Sequence, residues 1–217
     1  MARESQTVKK KRLVQIIGRL IQQYPNAHCA LTHRNAFELL VATVLSAQCT
    51  DKRVNMVTPA LFKKFSTIGA FAQAKVSDVE ALIRSTGFYH NKAKNIVALA
   101  QALVAEHGGK VPQDVDALVK LPGVGRKTAN VVMGNAFGVA SGVVVDTHVT
   151  RLSRLLKLTA AQTPEKIEQD LNRLVPCDVW ILLPHLFIEH GRQVCVARRP
   201  QCDRCVVAAF CPSAKLR

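Results

Sequence analysis

Apolar positions recur along this chain with the spacing of helices buried on one face. Leu13, Ile16, Ile17, Leu20 and Ile21 keep that spacing, so a helix is predicted from the basic cluster at 9–12 to about residue 24, behind a polar, frayed start over 1–8. From Phe37 to Ala47 the run is apolar nearly all round, which predicts a central helix. Asn35, with Glu38 three residues on, offers that helix a capping box. It ends at Ser46-Ala-Gln-Cys-Thr-Asp51, where Thr50 can cap a further helix to about residue 64. Ser77 with Glu80 offers a second capping box, for a helix that stops at Thr86-Gly87. A helix over about 91–107 is closed by Gly108-Gly109. Val115, Leu118 and Val119 mark a helical stretch over 114–120. Ala129, Val131, Val132, Met133 and Phe137 mark another over 128–137. Asp146 starts a helix to about residue 157, and Thr163-Pro164 starts one with Thr as cap and Pro at its first position. The last helix is predicted over about 178–190, ending at Gly191. No stretch alternates as a half-buried strand does, so the chain is predicted to be all-α. It shows no internal repeat and no low-complexity linker.

Between the two helical stretches of 114–137 lies Leu121-Pro-Gly-Val-Gly-Arg-Lys127. Pro122 and Gly123 break the first helix, and Gly125 is expected to let the backbone turn tightly into the second. Such a turn leaves backbone N–H groups pointing outward, a ready site for an anion such as a phosphate diester, with no side chain reading a base. Lys127 falls in the first turn of the second helix. The positive end of the helix dipole and neighbouring Arg126 both disfavour an ammonium there, and a neutral amine is a usable nucleophile toward a sugar carbon. Val143-Val-Val-Asp-Thr-His148 then brings the carboxylate of Asp146 out of an apolar run at a helix start. Residue types alone fit equally a Gly-Pro loop with a solvated lysine and a capping aspartate.

Charge moves the balance. Lys and Arg number 30 against 15 acidic residues, a net charge of +15 over 217 residues, which favours a polyanion partner. The four charges at 9–12 are read as solvated. Only 5% of residues are aromatic, which argues against a stacking platform for single strands. The chain is 48% hydrophobic, enough for a core without disulfides. No run reaches a membrane span and no secretory signal opens the chain, so a cytosolic protein is expected. Cys195, Cys202, Cys205 and Cys211 are spaced C-x6-C-x2-C-x5-C, and four thiolates so close can hold either zinc or an iron–sulfur cluster. Cys29, Cys49 and Cys177 are expected to be buried thiols. The histidines form no metal pair at helical spacing with a third ligand, and a structural role is expected for His148.

Leu-Pro-Gly-Val-Gly-Arg-Lys-Thr-Ala followed by Val-Asp-Thr-His resembles the helix-hairpin-helix DNA glycosylases, most closely the endonuclease III family, and the resemblance runs from about residue 16 to 211. It implies a two-lobed fold: a six-helix barrel domain over 29–139 holding the hairpin at about 114–137, and an iron–sulfur cluster domain joining 1–28 to 140–217. The active site would lie in the cleft between them. It implies that Lys127 is the Schiff-base nucleophile and Asp146 the catalytic carboxylate. Leu121, Gly123, Val124, Gly125 and Arg126 would hold DNA phosphates. Gln48 would enter the duplex where the damaged nucleotide leaves it, and Phe88 would press into the opposite strand. The cysteine spacing is that of the family's [4Fe-4S] cluster, ligated by Cys195, Cys202, Cys205 and Cys211, with Arg192, Arg198 and Arg199 as a basic edge beside it. Cys49 is a small departure, since relatives more often carry a smaller residue there. The activity implied is removal of oxidised pyrimidines from double-stranded DNA with damaged bases or abasic sites, and AP lyase cleavage, by a monomer in a bacterial cytoplasm at the nucleoid. Two other readings stay open: a pyrimidine-dimer or thymine-mismatch glycosylase on this fold, and a hairpin protein that binds DNA without catalysis.

Overall fold

The computed structural model describes residues 4–215, and among them there is no strand. Ser5 accepts the Val8 amide at 3.3 Å and starts α1 (Gln6–Gln23). The helix thus begins before the basic cluster. Residues 4–8 are not a frayed tail, and residues 1–3 lie outside the described part. Arg12 corrects a second expectation. Its side chain, 13% exposed, pairs with Glu4 at 2.8 Å and donates to the carbonyls of Leu156 (2.9 Å) and Phe210 (3.0 Å). One guanidinium has enough donors to satisfy three partners at once, so this charge is structural and not solvated.

The chain separates into two compact units, Cys29–Val139 and Met1–His28 with Ala140–Arg217. The first is built on α2 (Ala36–Leu45), α3 (Asp51–Lys64), α4 (Ile68–Ala72), α5 (Val76–Ile83), α6 (Tyr89–His107), α7 (Val115–Leu118) and α8 (Arg126–Phe137). From Phe37 to Leu45 every residue of α2 is buried, and α3, α6 and α8 pack against it. Its start follows from Asn35, whose side chain accepts the Glu38 amide at 2.9 Å. The Glu38 carboxylate reaches back to the Arg34 amide at 2.8 Å. Thr50 caps α3 through the Arg53 amide, and Asp114 caps α7 through the Ala117 amide at 2.7 Å. Phe71 of α4 is fully buried among Phe37, Phe62 and Phe65, with ring centroids 5.2, 6.3 and 5.2 Å away. The capping box expected at Ser77 is absent. Lys75 precedes the first helical residue, Val76, and gives no side-chain cap, which leaves Ser77 inside the first turn of α5.

The second unit combines α1 with α9 (Thr147–Leu155), α10 (Pro164–Leu174) and α11 (Leu182–Gln193). Ile16, Leu20, Val149, Ile167, Leu171 and Phe187 lie in its core. Gly191 does not end α11; it lies within the helix. A Cβ there would stand 2.8 Å from both Arg151 Nη2 and His148 Nδ1, so glycine is what lets those two side chains press on the α11 backbone. Cys177 is exposed, at a short 3-10 turn after Pro176, so it is not a buried thiol; Cys29 and Cys49 are half-buried. No helix among the described residues is long and apolar enough to cross a membrane.

Candidate active site

The turn between α7 and α8 is closed by the Val124 amide donating to Leu121 O at 3.1 Å. Leu121 and Val124 are buried, 3% and 6% exposed, so their side chains anchor the turn in the core and only their backbone can meet a ligand. The left-handed residue is Gly123, with φ +75. Gly125, with φ −97 and ψ 173, is in ordinary extended backbone, which corrects the expectation that it makes the tight turn. The two glycines are needed for different reasons. A Cβ at Gly123 would lie 2.9 Å from the Cβ of Asn95, whereas one at Gly125 would meet nothing in the protein. Gly123→Ala is therefore expected to cost about 1–3 kcal/mol, read as a lower melting temperature. The space beside Gly125 is open for an outside group to approach the helix start.

Gly125 precedes α8 without a side-chain cap, so the first amides of that helix have no side-chain acceptor at its cap. Arg126 and Lys127 follow, both exposed in the first turn. In the other unit, Asp146 caps α9: its Oδ1 accepts the Val149 amide at 2.8 Å while the side chain stays partly exposed. His185 of α11 feels the same carboxylate. Burial draws this imidazole below its ordinary value, His28 adds to the effect, and Asp146 and Glu189 oppose it. A histidine in the surroundings of Asp146, its charge disfavoured by burial, was not legible in the sequence, because α9 and α11 are brought together only by packing.

Gln48 and Phe88 share an unusual backbone. With Lys157 they are the described non-glycine residues at positive φ, 51° for Gln48 and 47° for Phe88. Both are exposed, and Phe88, 66% exposed, is a large apolar side chain turned to solvent. A left-handed conformation is unfavourable for such residues and persists only where the surroundings impose it. The sequence reading also missed a buried lysine nearby. Lys92, in the first turn of α6, is 5% exposed. It sits four residues before Ile96 and eight before Ala100, on the buried helix face, and that spacing was a readable signal.

Cys195, Cys202, Cys205 and Cys211 line one open pocket, with apolar Leu155, Val194 and Ala208 around them. Two 3-10 turns set their positions, Cys202–Arg204 and Ala208–Phe210. Among the described residues no three Cys, His, Asp or Glu side chains converge closely enough for one metal ion. Four thiols that line one pocket without converging on a single point fit a polynuclear cluster better than a single zinc, whose ligands all stand about 2.3 Å from one ion. Burial pushes the Cys195 thiol up to about 11, against the pull of Arg151, and pushes the Cys205 thiol up as well. Thiolates at Cys195 and Cys205 therefore need the positive charge of a metal core. The surrounding residues are ordered. Arg151 donates to Gly191 O and Cys195 O at 3.0 and 2.9 Å, which ties the first cysteine to the helix that Asp146 caps. His190, buried and held near a pKa of about 4 by desolvation, stands between Tyr24 Oη at 3.1 Å and Cys205 Sγ at 3.4 Å. Arg192, Arg198 and Arg199 are exposed at the end of α11 and in the loop between the first two cysteines.

Both stretches match known protein families. Residues 41–177 match the HhH-GPD superfamily base excision DNA repair proteins, and 195–211 match the iron–sulfur binding domain of endonuclease III. The chain is 51% identical to endonuclease III of Synechocystis sp. over 95% of its own length and 94% of that protein's. It is 43% identical to endonuclease III of Bacillus subtilis, over 93% and 92%. A solved structure of a trapped endonuclease III–DNA covalent intermediate, 43% identical, superposes with a TM-score of 0.89 over 94% of this chain and 96% of that one. A thermostable thymine-DNA glycosylase, only 21% identical, shares the fold with a TM-score of 0.85. A hairpin with an exposed lysine, a capping aspartate and a four-cysteine cavity thus stand in one chain because it belongs to the endonuclease III family of HhH-GPD base excision DNA repair proteins.

Proposed function

We propose that this protein is a base-excision repair DNA glycosylase that removes oxidised pyrimidines from duplex DNA and cleaves the strand as an AP lyase, through a Schiff base on Lys127. The observation that carries the reading is the hairpin of an endonuclease III family member, with an amine exposed in the first turn of α8 directly after an open, glycine-lined approach. The relative trapped as a covalent intermediate with DNA supports an enzyme–sugar bond in the reaction.

The chemistry follows from the groups available. Backbone amides of the Leu121–Arg126 segment and the charges of Arg126, Arg192, Arg198 and Arg199 hold phosphates, independent of sequence. The damaged nucleotide leaves the stack because its C1′ is unreachable inside the duplex. Gln48 fills the space it vacates, and Phe88 presses into the opposite strand. Asp146 stabilises positive charge developing on the sugar or takes a proton from Lys127. Lys127 gives up a proton and its amine bonds to C1′, and the base leaves with the electron pair of the glycosidic bond. The C1′–O4′ bond then breaks, its electron pair going to O4′ as the nitrogen loses a proton, and the opened sugar is an imine; this acidifies the C2′ proton, whose loss expels the 3′ phosphate and breaks the strand. We assign residues 29–139 as the barrel domain and residues 1–28 with 140–217 as the cluster domain of a monomer, working at the nucleoid in a bacterial cytoplasm.

The [4Fe-4S] cluster, held by Cys195, Cys202, Cys205 and Cys211, supplies charge and cross-links to a tail with few apolar residues of its own. Chelating the iron is expected to leave the helices of residues 29–139 largely intact by circular dichroism while weakening DNA binding; unchanged affinity would count against this role. Gly125→Ala is expected to keep the wild-type melting temperature yet weaken binding equally on all DNA sequences, since its Cβ meets only the approaching phosphate. The activity itself is tested on a duplex with one thymine glycol. The reading requires a nick that yields an unsaturated aldehyde end. Binding without any nick, on this duplex and on an abasic one, would leave only a non-catalytic hairpin protein. A panel of duplexes with a pyrimidine dimer, a thymine mismatch or an oxidised pyrimidine separates the related activities.

A further inference from the structure

Lys92 is an ammonium at the start of a helix, 5% exposed, and among the described residues no carboxylate pairs with it. Burial and the dipole of α6 both oppose a positive charge there. Its Nζ instead donates to two main-chain carbonyls, Leu45 O and Thr86 O, each at 2.8 Å. Leu45 is the last residue of α2, and Thr86 ends the 3-10 turn that follows α5. Three residues beyond the first carbonyl comes Gln48, and two beyond the second comes Phe88, both exposed and both in left-handed backbone. A core position that needed only volume would take methionine or leucine at no electrostatic cost. The charged, two-armed donor is unnecessary for packing and well suited to fastening two turns together.

We infer that Lys92 is a positioning residue for base extrusion: it locks the turn carrying Gln48 and the turn carrying Phe88 into one rigid element, so that both side chains enter the duplex already ordered. The inference rests on the reading of Gln48 and Phe88 as the residues that enter DNA. Burial pushes the Lys92 ammonium below the ordinary lysine range, while nearby Cys49 acts the other way. The two carbonyls favour the charged form, since an ammonium has three donors and both bonds are short. Without Lys92, two buried carbonyls lose their partner and the two turns lose the bonds that join them. The duplex must then pay the ordering of both side chains on binding.

The test is a double-mutant cycle on the full chain with its cluster, read as the dissociation constant for a duplex holding one tetrahydrofuran abasic analogue. Lys92→Met is expected to weaken that binding by about tenfold to a hundredfold in the wild-type background. In a Gln48→Ala, Phe88→Ala background the same substitution is expected to add less than about twofold, because the element it positions is already gone. An equal loss in both backgrounds, or no loss in the wild-type one, overturns the inference and makes Lys92 a residue of stability alone. Loop variants that themselves bind like wild type overturn the reading of Gln48 and Phe88, and the role of Lys92 with it; the two failures are thereby distinct. Should Lys92→Met not fold, Lys92→Gln, an uncharged and shorter donor, goes through the same cycle with the same outcomes.

Discussion

Lys127→Ala is expected to lose strand cleavage on thymine-glycol and abasic duplexes, by a factor on the order of 10⁴ or more, and to lose borohydride-trapped adducts entirely. The variant is clean for structural reasons. Lys127 is exposed in the first turn of α8, and alanine is the best helix former, so the hairpin has no cause to change. The turn that approaches DNA is built by Leu121, Gly123 and Val124, none of which touches chemistry through its side chain. DNA affinity is therefore expected to stay close to wild type while turnover disappears. Retained trapping in Lys127→Ala would move the nucleophile to another amine.

Asp146→Asn is expected to slow base removal by about 10²- to 10⁴-fold, the range that a positioned acid or base group contributes. Asparagine caps a helix as well as aspartate does, so the bond to the Val149 amide and the start of α9 should survive. What is lost is the charge. Cleavage of a pre-formed abasic site should suffer less than base removal, because no glycosidic bond remains to be broken there. Wild-type excision by Asp146→Asn, measured in single turnover, would remove the carboxylate from the mechanism.

The pattern of caps and apolar runs made most of the helices legible. Asn35, Thr50, Asp146 and Thr163 each bond the amide that their position in the sequence foretold. Local chemistry decides such starts, so sequence is enough. It failed where tertiary packing decides. The five residues of α4 are too few to show a period and are held by the Thr67 cap and the burial of Phe71. Gly191 looks like a helix stop and is a contact point for Arg151 and His148. Arg12 looks like one charge in a solvated row, yet it satisfies two carbonyls distant in sequence. Lys92 shows the same limit at the candidate site. Its place on a buried face was readable, but its partners, Leu45 and Thr86, were not. The hairpin and the four cysteines were readable because their chemistry is compact in sequence; His185, near Asp146, was not, for the opposite reason.

The most direct test of the nucleophile is the site of the covalent bond in the unaltered protein. The holoprotein is incubated with a thymine-glycol duplex and borohydride, the cross-linked complex is digested, and the modified peptide is identified by mass. The account predicts a single adduct, a reduced deoxyribose bonded to the side-chain nitrogen of Lys127. An adduct on any other amine, or efficient strand cleavage with no adduct at all, would contradict it.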